Sequence, residues 1–261
     1  MDLRLNGRRA LVCGASRGIG RAIAVELAAA GARVTAVART EEKLARLVDE
    51  IATAGGVADY RVLDLNRLEQ AATTVEELLA RTGPIEILIL NTQGPAPGPI
   101  LEAEEDAFLD GFKRHLLASH RLVRLLLPGM REAGHGRVIN IISTSVKQTI
   151  PNLGVSNTIR GAVASWAKTL AGEVGQFGVT VNNVLPGYTA TERLEALAED
   201  VAARRGGTAA EVLRSWGESV PLGRIGLPAE VASAVVFLAS PAASYVHGIN
   251  LPVDGGRLLT L

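Results

Sequence analysis

The sequence predicts an α/β fold: a doubly wound three-layer sandwich with helices on both faces of a seven-stranded, mostly parallel sheet. Three features point there. Short apolar runs alternate with stretches of helical period along the chain. Runs such as Arg137-Val138-Ile139-Asn140-Ile141-Ile142 are nearly continuously apolar, as strands covered on both faces must be. The first run, Ala10-Leu11-Val12, passes through Cys13-Gly14-Ala15-Ser16-Arg17-Gly18-Ile19-Gly20 into a helix, the strand–turn–helix unit from which such sheets are built. At 261 residues the chain is expected to form one domain, 1–261, around a common core.

The elements follow in order. Ile23, Leu27 and Ala30 recur at helical spacing after the glycines, and Gly31 ends that helix. Arg33 to Ala38 reads as the second strand, and Thr40-Glu41-Glu42 starts a helix to about Ala54, with acids in its first turn. Val57 to Leu63 is the third strand, followed by a helix from about Arg67 to Arg81 and, after Gly83-Pro84, a fourth strand over Glu86 to Leu90. The Gly/Pro-rich segment 94–99 is a loop, and a long helix is expected from about Glu102 to Met130. Strand five, Arg137 to Ile142, precedes a helix from about Val155 to Gln176 and strand six, Val179 to Leu185. Residues 191–217 read as a helical excursion broken at Arg204-Arg205-Gly206-Gly207. A helix from Pro228 to Ala239 and a strand from Ile249 to Val253 close the chain.

Composition narrows the partners. Hydrophobic residues make up 48%, enough for a large interior, and aromatics only 3%, which suits close packing of helices on a sheet. The 27 basic and 27 acidic residues cancel, which argues against nucleic acid or an anionic membrane surface. The four histidines and the lone Cys13 lack metal-ligand spacing, so no metal is expected. One cysteine allows no internal disulfide and fits a reducing compartment. With no basic-then-apolar leader and no bilayer-length apolar run, a cytoplasmic protein without a membrane partner is expected.

The glycine stretch offers a phosphate site on physical grounds. The first N–H groups of a helix lack partners, the helix dipole favours negative charge there, and glycine lets the backbone come close. The spacing Gly14-x-x-x-Gly18-x-Gly20, with Ser16-Arg17 inside it, differs from G-x-G-x-x-G and resembles the short-chain dehydrogenase/reductase family. The similarity runs from about Gly7 to Gly256 and is nearest to the bacterial 3-oxoacyl-acyl-carrier-protein reductases. It implies a Rossmann-like NAD(P)-binding domain in which Gly14, Ser16, Arg17, Gly18, Ile19 and Gly20 receive the dinucleotide. Asp64-Leu65 matches the family's adenine-contacting acid, and Asn91-Thr92-Gln93-Gly94 stands where the family has Asn-Asn-Ala-Gly, keeping Asn91 and Gly94. Asn182 to Thr191 resembles the family turn that meets the nicotinamide amide, which maps to Pro186, Gly187, Thr189 and Thr191. After strand two comes Arg39 rather than an acid. Arg39 and Arg17 together suit a 2′-phosphate, so NADP(H) is expected in preference to NAD(H).

The family's chemistry uses a Ser after strand five, a Tyr thirteen residues later, a Lys four beyond that, and an Asn on the long helix. Ser143 matches the first and is expected to meet the substrate oxygen. Ser156 replaces the Tyr, Arg160 the Lys and His115 the Asn. Ser156 and Arg160 share a helix face, and Arg160 is expected to reach the cofactor's ribose. Arginine holds its proton, however, and a serine hydroxyl is a far weaker acid than a phenol. Turnover therefore needs another proton donor. Lys147 leads, ahead of His115 and of Tyr188, which is also a substrate-wall residue; the wall at 191–217 is expected to shape the pocket.

Two readings follow from the resemblance. The first is an NADP(H)-dependent oxidoreductase on a carbonyl/alcohol pair, 3-oxoacyl-thioester reductase-like, with altered proton transfer. Its partners would be a small-molecule or acyl-thioester substrate and further copies of the chain in a homodimer or homotetramer. The alternative is a catalytically inactive dinucleotide-binding homologue acting as a sensor or oligomer partner.

Overall fold

The computed structural model describes residues 1–260. Seven strands form one sheet: β1 (Arg9–Cys13), β2 (Arg33–Ala38), β3 (Val57–Val62), β4 (Ile87–Asn91), β5 (Gly136–Ile141), β6 (Val179–Pro186) and β7 (Asn250–Val253). Their order is β3-β2-β1-β4-β5-β6-β7 and every pairing is parallel, so the sheet is wholly rather than mostly parallel.

Alternate residues of each strand feed opposite helix layers. Ala10, Val12, Ile87 and Ile89 face one layer, made by α1 (Gly18–Ala29), α2 (Glu41–Thr53) and α9 (Pro228–Ala239). Leu11, Cys13, Leu88 and Leu90 face the other, made by α3 (Leu68–Thr82), α5 (Ala118–Glu132) and α6 (Gly154–Val174). This two-sided burial is the reason the strands read as continuous apolar runs; each fully buried Leu or Ile contributes about 1.5–3 kcal/mol. Across β5, β6 and β7, Asn140 donates to Asn183 and Asn183 to Asn250, both at 2.8 Å. That amide ladder ties together the strands whose ends carry Ser143 and Pro186.

Most element boundaries fall within a residue or two of expectation; the long helix does not. The first helix begins at Gly18, so Gly18-Ile19-Gly20 form its first turn. The long helix does not start at Glu102: Ile100–Glu102 is a 3-10 turn, and α4 (Glu105–Phe112) runs through a π-helical turn, Lys113–Leu117, into α5. The 191–217 excursion breaks where expected, into α7 (Glu192–Arg205) and α8 (Ala209–Glu218) at Gly206 and Gly207, whose φ values are 80° and 100°. Thr208 and Glu211 then form a reciprocal cap that starts α8. Among the described residues no helix is long and apolar enough to cross a membrane.

Candidate active site

Strand order reverses between β1 and β4, and the crevice beyond their carboxyl ends is where open parallel sheets take ligands. A cavity of about 950 Å³ opens there. On its floor the glycine loop is clamped to β4. Gly14 has φ 65°, and a Cβ on it would stand 2.5 Å from the Asn91 carbonyl oxygen. The Asn91 side-chain amide donates to the Gly14 carbonyl at 3.3 Å. A Cβ on Gly20 would come within 2.2 Å of that same carbonyl oxygen. Arg17 offers α1 no side-chain cap and the first turn holds no acid, so the leading N–H groups are left for an anion. A close-packed glycine cradle, an open helix N-terminus and a long cavity suit a dinucleotide. Gly14, Ser16, Arg17, Gly18 and Ile19 line the cavity. Gly20 does not; it serves the loop by packing behind it.

The two arginines expected at a 2′-phosphate both reach the cavity, each with a partner of this chain. Arg39 donates to the Gln93 side-chain oxygen at 3.1 Å. Arg17 pairs with Glu192, at the start of α7, at 2.8 Å, and Lys43 approaches the same carboxylate at 3.4 Å. The Arg17 hydrogen bond is the main cause holding the Glu192 carboxyl below its usual range. Asp64, whose carboxylate accepts the Asn66 N–H at 3.0 Å, and Leu65 line the same end.

On the other wall, Pro186 and Gly187 follow β6. Gly187 lies flat on Asp254, where a Cβ would be 2.7 Å from the Asp254 Cα. The Thr189 hydroxyl donates to the Gly187 carbonyl, and that of Thr191 to the Thr189 carbonyl, each at 3.2 Å. Thr191 Oγ also accepts the Leu194 N–H, capping α7. Pro186, Gly187, Thr189 and Thr191, with Asn91 and Gly94 opposite, all face the cavity.

Ser143, Ser156, Arg160 and Tyr188 also line the cavity. Ser143 Oγ accepts the Ser145 N–H at 3.0 Å. Arg160 is buried, donates from Nη1 to the Ile141 carbonyl at 3.1 Å, and lies against Gly94. Burial, then the nearby Arg193 charge, lowers its pKa to about 10, so it remains a cation. Sequence reasoning missed two residues here. The Tyr188 ring stacks on Trp216 with centroids 5.0 Å apart, and the Arg257 guanidinium lies 4.2 Å from the Tyr188 centroid while donating to its hydroxyl at 3.2 Å.

Two proton-donor candidates fall outside the cavity. Lys147 is exposed, because Ser143 caps the 3-10 turn Thr144–Val146 and that turn carries residue 147 outward. His115 sits in the π-helical turn, buried, with Nδ1 bonded to the Thr92 hydroxyl and Nε2 without a partner of hydrogen-bonding geometry. Burial first, and then the Arg160 and Arg114 charges, push its pKa down to about 3 against a weak opposing pull from the Gln93 backbone. The shift keeps it uncharged near neutral pH.

That burial has a consequence for stability. The unfolded chain takes up a proton near pH 6.5 and the folded one only near 3, so His115 costs stability as pH falls through that window. His115→Asn is expected to make the decline from about pH 6.5 to 4.5 shallower by roughly 1 kcal/mol per pH unit in urea unfolding. An unchanged slope would place the acid sensitivity elsewhere. Cys13, fully buried, has its thiol pushed up to about 12 and is inert as a nucleophile.

A family model described as enoyl-(acyl carrier protein) reductase matches residues 14–257. The 3-oxoacyl-(acyl-carrier-protein) reductase FabG of Vibrio harveyi is 36% identical over 259 residues, 98% of this chain and 100% of that protein. The short-chain reductase protein NovJ of Streptomyces niveus is 38% identical over 254 residues, 95% of this chain and 93% of that one. The L-sorbose reductase of Gluconobacter frateurii, complexed with NADPH and L-sorbose, matches with a TM-score of 0.94 at 31% identity, covering 100% of both chains.

Proposed function

Because the chain belongs to the short-chain dehydrogenase/reductase family of oxidoreductases, we propose that it is an NADP(H)-dependent enzyme interconverting a carbonyl and an alcohol, with Tyr188 as proton donor. The observation that carries this reading is the Tyr188–Arg257 pair: a phenol lining the cleft with a guanidinium against its oxygen. It restores, from other parts of the chain, the phenol-and-cation chemistry that Ser156 and Arg160 cannot provide.

The nicotinamide, when bound, supplies or takes up the hydride. The chain's own residues do the rest. Ser143 Oγ already accepts the Ser145 N–H, which leaves its hydrogen to donate to the substrate oxygen. The Tyr188 oxygen accepts from Arg257, so the phenol hydrogen is free for the same substrate oxygen, and Arg257 stabilises the charge that develops as the proton leaves. Arg160 offers the ribose hydroxyls donors that stay charged. The substrate would be a small molecule or an acyl thioester, and NADPH oxidation across a panel of ketones and acetoacetyl thioesters tests the chemistry. Exposed Leu109, Phe112 and Leu117 on the α4–α5 helix support a homodimer or homotetramer, and a lone buried cysteine suits the cytoplasm.

Preference for NADP(H) rests on Arg17 and Arg39. Losing one charge-assisted bond should cost about ten-fold or more in affinity. Arg39→Ala is expected to weaken NADPH by that factor and leave NADH unchanged in parallel fluorescence titrations; equal weakening of both would rule out a 2′-phosphate contact. The second reading, a dinucleotide-binding module without turnover, is favoured by one observation: Arg160 is held on the Ile141 carbonyl where the family has its lysine. NADPH binding with no oxidation by any substrate would select it.

A further inference from the structure

The chain carries no net charge, yet its cleft does. Nine Lys and Arg side chains line the cavity against three carboxylates, Asp64, Glu192 and Asp200. A dinucleotide's pyrophosphate and 2′-phosphate would neutralise roughly four of those cations. The remaining positive surplus needs an owner at the substrate end, and Arg257 stands there. Among the described residues it has no carboxylate partner. Its two side-chain bonds go to neutral hydroxyls, Nη1 to Thr144 at 3.4 Å and Nη2 to Tyr188 at 3.2 Å. The acid closest to it in sequence, Asp254, is occupied by the N–H groups of Gly256 at 3.0 Å and Leu258 at 2.8 Å.

We infer that the substrate bears a carboxylate close to its reacting carbonyl, and that Arg257 holds that carboxylate. The inference rests on the proposed hydride-transfer reading of the cleft and names its substrate class: short oxo acids and the matching hydroxy acids. The guanidinium is half-buried and kept in place by the Tyr188 ring, which in turn stacks on Trp216. Guanidinium has five N–H donors in a planar fork, and two suffice for a bidentate carboxylate pair. Thr144, which Arg257 touches, directly follows Ser143, so the anion would lie beside the residue that receives the substrate oxygen.

Acetoacetate and methyl acetoacetate separate charge from shape. Their binding to the NADP⁺-loaded protein can be followed by calorimetry and by Trp216 fluorescence, with no turnover needed. The acid should bind about ten-fold or more tightly than the ester. Arg257→Gln should bring the two within about two-fold, with an unchanged melting temperature and unchanged NADP⁺ affinity showing that the variant is folded; Arg257→Lys should restore part of the preference. Equal binding of acid and ester by the natural protein, or a preference that survives Arg257→Gln, overturns the inference. The two claims fail separately. A preference for the acid without NADPH oxidation would leave the carboxylate site standing and sink the hydride-transfer reading. Oxidation by neutral ketones with no preference for acids would do the reverse.

Discussion

Gly20→Ala should reduce NADPH affinity by about 100-fold or more and lower the melting temperature. In an open helix position this change favours folding by roughly 1 kcal/mol, since alanine is the better helix former. Here the added Cβ would stand 2.2 Å from the Gly14 carbonyl oxygen and 2.5 Å from the Asn91 side-chain nitrogen. Neither can retreat: one is backbone, the other is the clamp that ties the glycine loop to β4. Overpacking of this kind typically costs 1–3 kcal/mol or more, so the clash outweighs the propensity gain. The loop must lift away from Asn91, taking with it the N–H groups that face the cavity. Gly172→Ala in α6 is the matched control, because a Cβ there meets nothing within 4 Å. It should stabilise by about 0.5–1 kcal/mol and leave NADPH binding untouched. Thermal melts and a binding titration on both variants check the pair; equal effects at the two sites would refute the clamp.

The second large effect is expected at Tyr188. Tyr188→Phe keeps the ring that stacks on Trp216 and removes only the hydroxyl. If that hydroxyl transfers the proton, kcat should fall by about 10²–10⁴-fold, with KM and the NADPH dissociation constant changed little. Lys147→Ala should leave kcat within about two-fold, since residue 147 is exposed and outside the cavity. Steady-state kinetics on the two variants decide between them. A several-fold loss in Tyr188→Phe, or a collapse in Lys147→Ala, would return the proton to another group.

The sheet and the glycine-loop half of the cleft were legible in the sequence because their signals are local. Ala10-Leu11-Val12, the glycines and Asn91-Thr92-Gln93-Gly94 each announce an element and its ending within a few residues. Strand ends in such a sheet converge by topology, so residues after strands met as expected. The chemical half was less legible, because its contacts span the chain. Arg257 meets Thr144 across 113 residues and Tyr188 across 69. No spacing rule connects a residue of the closing segment to the wall of the cleft. Lys147, expected as the leading proton donor, lies exposed outside the cavity, because the 3-10 turn capped by Ser143 carries it outward. The π-helical turn that carries Arg114 and His115 left no mark in the apolar pattern, since it is one turn inside a long helix.

Isotope transfer tests the central claim most directly. The protein is mixed with NADPH deuterated at the transferring nicotinamide carbon and a panel of short oxo acids, and the product alcohols are examined by mass spectrometry. The account predicts one deuterium on the new carbinol carbon of an accepted substrate, with the added hydroxyl proton drawn from water. NADPH that binds, and no labelled alcohol from any carbonyl offered, would contradict it.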